Sequence, residues 1–62
     1  MPWSEDNYPP AMRGLQPLVR DKAIEIANAL LDEGQDEGFA IRVAIARAKQ
    51  WARRRGLDPE AS

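Results

Sequence analysis

The stretch Asp32-Glu33-Gly34-Gln35-Asp36-Glu37-Gly38 constrains this chain most, because it separates two segments of helical apolar periodicity by only a few residues. Gly34 suits the left-handed residue just past a helix end, and Asp36 suits the N-cap of the helix that follows. A connection this short forces antiparallel neighbours. The architecture it predicts is a helical hairpin.

The first long helix is predicted over about 17–33, with Pro17 at the first helical position, where its missing N–H costs nothing. At 100° per residue, Val19, Ala23, Ile24, Ile26, Ala27, Leu30 and Leu31 share one broad face. Asp21, Lys22, Glu25, Asn28 and Asp32 take the other. Arg20 lies at the edge of the apolar face, and its stem is expected to snorkel along it rather than pair with a carboxylate of the arm. The second long helix is predicted over about 37–54, with Gly56 past its end and Arg53 to Arg55 complementing its dipole. Ala40, Ile41, Ala44, Ile45, Ala48, Trp51 and Ala52 share its inner face, and the small alanines permit a close approach of the two helices.

Residues 1–16 read as an ordered arm. Pro2, Pro9 and Pro10 allow at most one short helical turn, from Pro10 through Arg13, with Gly14 stopping it. Trp3, Tyr8, Met12 and Leu15 give the arm apolar surface that should fold down onto the hairpin as a third layer. Residues 57–62 read as a disordered tail. The fold class is therefore all-α: a hairpin over 17–56 with a proline- and aromatic-rich N-terminal arm.

Sixty-two residues lie near the lower limit for independent folding, since one core of this size supplies only about 3–5 kcal/mol. The chain has no cysteine and no histidine. It thus lacks disulfides, the commonest zinc ligands and the usual neutral-pH general base. The formal net charge of −1 conceals a polar split. Through Gly38 eight acids oppose three bases, and from Phe39 onward six bases oppose two acids. That split allows head-to-tail self-association or an anionic partner for the basic half, although helix dipoles account for part of it. No signal-like segment and no apolar run near 18 residues is present, so a cytoplasmic location without a membrane span is expected.

Phe39 and Val43 fall outside the alanine face. Four residues apart, they stack into a lateral stripe that something should cover. The arm, with Trp3 and Tyr8, is the nearest candidate, and the partner of a homodimer the next. These four residues form the predicted interaction surface.

Three chemistries bear on these residues. Asp32, Glu33, Asp36 and Glu37 cluster four carboxylates, but the spacing fails the EF-hand loop, and capping with solvation accounts for them; no metal is expected. Arg42, Lys49 and Arg53 form one cationic stripe of the second helix, and Arg47 with Arg54 another, which makes nucleic acid the rival class of partner. A helix-turn-helix is a poor fit, because the first helix is too long and the chain is slightly acidic. Catalysis is not expected. The only serines are Ser4 and Ser62, no glycine loop cradles phosphate, and no cofactor is implied.

The ordered series Met1-Pro2-Trp3, Asn7-Tyr8-Pro9, Met12, Leu15, Val19-Arg20, Lys22-Ala23-Ile24, Ile26 to Leu31 and Glu33-Gly34 resembles short bacterial proteins of the YdaT type. The similarity runs on through Glu37-Gly38, Ala40-Ile41, Ala44-Ile45, Ala48 and Trp51-Ala52, and so spans nearly all of the chain to Gly56. Proteins of that type often carry a second small domain after this one. More distantly, the Met-Pro-aromatic start and Val43-Ala44-Ile45-Ala46…Lys49 resemble the ChaB proteins, described as cation-transport regulators. The resemblances imply a small helical domain with a regulatory role, and the fainter one a part in cation-transport regulation. The reading favoured here is a non-enzymatic interaction or regulatory module whose partner is a protein. Nucleic-acid binding through the basic face is the alternative.

Overall fold

The computed structural model describes residues 2–60. A single 3₁₀ turn (Pro10–Met12) precedes helix α1 (Pro17–Asp32) and helix α2 (Glu37–Arg54). The described residues hold no strand, only isolated bridges between Ser4 and Asn7 and between Leu15 and Glu60. The molecule is the predicted all-α hairpin with an ordered arm.

Local chemistry places the helix ends. Gln16 is extended, as the residue before a proline must be, and Pro17 opens α1. At the other end Gly34 adopts φ 89°. Its N–H donates to the Leu31 carbonyl at 2.9 Å, while the Gln35 N–H donates to that of Leu30 at 3.1 Å. This is a Schellman motif, which satisfies carbonyls that the helix leaves without partners. Asp36 then caps α2, its Oδ2 accepting from the Phe39 N–H at 3.1 Å. A second Schellman motif closes α2 at Gly56, φ 73°, with Leu57 N–H donating to the Ala52 carbonyl at 2.9 Å.

Ala40, Ala44, Ala48 and Ala52 are all fully buried, and so are Val19, Ala23 and Ala27 of α1. A row of methyl groups on α2 leaves room for the larger α1 and arm side chains to fill the space between the helices. The arm supplies the third layer. Met12 is completely buried, Leu15 nearly so, and Trp3 and Tyr8 pack half-buried against the same cluster.

Three expectations are corrected. Asn28, assigned to the polar face of α1, is only 3% exposed. Its Oδ1 accepts from the Trp3 N–H at 3.3 Å, and its Nδ2 donates to the Trp3 carbonyl at 3.0 Å. The two bonds satisfy a buried amide and an arm peptide together. Arg20 neither snorkels freely nor meets a carboxylate: its guanidinium lies 4.6 Å from the Tyr8 ring centroid and donates to the Leu15 carbonyl at 3.4 Å. An aromatic face is the alternative partner for a half-buried cation. The disordered tail is also corrected for residues 57–60. Leu57 packs on the core, the Gln16 N–H donates to the Pro59 carbonyl at 3.0 Å, and Lys49 pairs with Glu60 at 3.3 Å. Residues 61 and 62 lie outside the described residues.

Candidate functional site

The solvent face of α2 follows from its alanine row. With Ala40, Ala44, Ala48 and Ala52 turned inward, a 100° projection turns Phe39, Val43, Ala46 and Gln50 outward as one strip. Arg42 and Arg53 border the strip on one side, Arg47 and Arg54 on the other, and all four are exposed. Phe39 is 41% exposed and Val43 is half-buried. Trp3 and Tyr8 do not join them as exposed surface. Both pack on the core cluster, and the Trp3 backbone is held at Asn28, so their apolar area is already used internally. The arm leaves Phe39 substantially open to solvent.

The basic stripe is reduced by the tertiary structure. Lys49 is engaged by Glu60 and leaves the array. Arg55, beyond the helix, lies 4.9 Å from the Trp51 ring centroid, and Lys22 of α1 lies 5.6 Å from the same ring. Among the described residues no carboxylate comes within ion-pair distance of Arg42, Arg47, Arg53 or Arg54. On α2 itself the only acid is Glu37, in the first turn. The outward face of α2 is thus a short apolar strip between uncompensated guanidinium groups.

The acidic hinge is not assembled as a site. Asp36 is occupied in capping, and Asp32, Glu33 and Glu37 are exposed. Among the described residues no group of three or more His, Cys, Asp or Glu side chains is placed to hold a metal ion. A shallow groove of about 240 Å³ lies where the arm, α2 and the C-terminal segment meet, lined by Ala11, Gly14, Leu15, Ile45, Lys49 and Glu60. Its two charged groups neutralise each other, which leaves no free acid, base or nucleophile there. No helix of the described residues is long and apolar enough to cross a membrane.

One surface residue escaped the sequence reading. Leu18 is 58% exposed, on the same side of α1 as Asp21, Glu25 and Asp32. Its signal was present: at 100° per residue it projects among those acids and away from Val19 and Ala23.

Over 58 residues, 94% of its length, the chain is 50% identical to the protein described as uncharacterized protein YdaT of Bacillus subtilis (strain 168). It spans 39% of that relative's length. No family model matches the chain, so the fainter ChaB resemblance gains no support. No solved structure matches it either.

Proposed function

Taking the chain as a YdaT-type protein over nearly its whole length, we propose that it is a non-enzymatic interaction module that binds a protein partner through the solvent face of α2. The observation that carries this reading is the exposure of Phe39 in a strip flanked by unpaired arginines. A large aromatic left open in so small a domain costs hydration free energy that association recovers, and aromatic and arginine side chains are the residues that concentrate binding energy at interfaces. The lack of histidine and cysteine, and the self-paired charges of the groove, support a role without catalysis.

A photoreactive amino acid placed at position 39, compared with one at exposed Asp6 in the arm, tests the reading in cells. Discrete adducts with a second protein chain, a different protein or a further copy of this one, are expected from position 39 alone. Equal adduct patterns from both positions would remove the special status of the α2 face.

The four unpaired arginines favour one second reading, nucleic-acid binding. Titration against short duplex and single-stranded DNA at several salt concentrations separates the two. Four phosphate contacts would give a log–log salt slope of about −3.6 on duplex and about −2.8 on single strands. Binding to a protein centred on Phe39 would give a shallower slope, because apolar burial supplies part of it.

A further inference from the structure

The solvent face of α1 is the chemical complement of the solvent face of α2. The former carries Leu18 among exposed Asp21, Glu25 and Asp32, and the latter carries Phe39 among exposed arginines. Among the described residues, Leu18 and Phe39 are the two large hydrophobics that the fold leaves exposed. The hairpin places one on each helix, each turned away from the shared core. We propose that the α2 face of one copy docks on the α1 face of a second copy, with the two helices parallel and Leu18 level with Phe39. The proposal rests on reading the α2 face as an interaction surface and names its partner as this chain itself.

Spacing selects that register. Counted from Leu18, Glu25 and Asp32 stand seven and fourteen residues on; counted from Phe39, Arg47 and Arg54 stand eight and fifteen residues on. At about 1.5 Å rise per residue, Glu25 meets Arg47 and Asp32 meets Arg54 within about 1.5 Å along the axis. The angular positions agree. Turning the parallel faces toward each other sets Leu18 against Phe39 on one edge of the seam and brings the acids to the edge of Arg47 and Arg54. The antiparallel alternative sets Asp32 against Phe39 and Leu18 against arginine, so both apolar residues and a carboxylate lose their partners. Lys22, the cation on this side of α1, pairs with Glu25 at 3.4 Å and leans toward Trp51, so Asp32 with Arg54 is the contact that no neighbouring cation shares. Because the two faces differ, each copy offers one of each. Assembly is head-to-tail and passes beyond two copies unless the rotation closes a ring.

Sedimentation of the full chain from about 10 μM to about 1 mM tests the proposal. The expected result is a weight-average mass that climbs from 7.0 kDa with concentration and falls back with added salt. Asp32→Arg or Arg54→Glu alone should weaken association about threefold or more, and the double exchange in one chain should restore it. Arg42→Glu, on the side of the strip away from the seam, should leave association unchanged, and circular dichroism checks that each variant is folded. A mass of 7.0 kDa at every concentration overturns the proposal. So does a folded double exchange that fails to restore association, or an Arg42→Glu variant as weakened as Arg54→Glu, which would indicate diffuse attraction. Adducts at position 39 with a different protein, found for a chain that stays monomeric, would sink the self-assembly alone and leave the interaction-module reading standing.

Discussion

Asn28 shows how one side chain can organise a domain that has no cross-link. Its amide forms two hydrogen bonds with the Trp3 backbone, one to the N–H and one to the carbonyl, so a helix residue acts toward the arm as a neighbouring strand would. Replacing it with alanine should lower stability by about 1–3 kcal/mol, because the arm loses its anchor and polar groups near the core lose their partners. A thermal melt should record this as a fall of about 4–8 °C for each kcal/mol. Asn28→Asp should be no better tolerated, since a carboxylate cannot donate to the Trp3 carbonyl. Gly34 is the second position where chemistry is narrowly defined. At φ 89° an alanine meets no steric obstacle from neighbouring atoms, yet its Cβ opposes the left-handed backbone. Gly34→Ala is expected to cost about 1–2 kcal/mol in chemical denaturation. Gly14→Ala, with open space and no positive φ, should be close to neutral.

At the scale of the elements, the pairing of α1 with α2 depends on the alanine row of α2. Each of these methyl groups is fully buried, so the contact has no room for larger side chains. Ala48→Leu should force the helices apart or push neighbours off their rotamers, destabilising the fold by about 1–3 kcal/mol. Ala46→Leu, on the exposed side of the same helix, should change stability by less than about 0.5 kcal/mol. Equal losses from the two leucines in urea titrations would show that the row is not the packing seam. The outward strip of α2 is the counterpart of this seam: once alanines occupy the inner face, Phe39 and the arginines have nowhere to lie but outside.

The whole molecule is closed by its two ends. The arm contributes Met12 and Leu15 to the core, and the segment after α2 returns to pair with Gln16 and to place Leu57 on the same cluster. Deleting residues 57–62 should therefore cost about 1–2 kcal/mol, most of it from Leu57 and little from the exposed Lys49–Glu60 pair. A melting temperature unchanged by the deletion would mean that the return is incidental. Sequence reasoning missed this return because Leu57 is a single apolar residue among Asp58, Pro59 and Glu60, with no periodicity to mark it. It missed the burial of Asn28 for a related reason: a polar residue on a helical projection is placed outside unless a partner from a distant segment is known.

What the sequence determined by itself is local in origin. The limits of both helices, the glycine ends at Gly34 and Gly56, the Asp36 cap and the inward alanine row all follow from short-range backbone chemistry and a 3.6-residue period. The outward Phe39–Val43 strip and its flanking arginines were legible from the same period. Tertiary structure alone decided which of these surface groups remain available. It engaged Lys49 with Glu60, tied the Trp3 backbone to Asn28, set Arg20 on Tyr8, and returned Leu57 to the core. Those outcomes depend on contacts between residues far apart in the chain, whose formation is governed by packing geometry and polar satisfaction rather than by the spacing of neighbours.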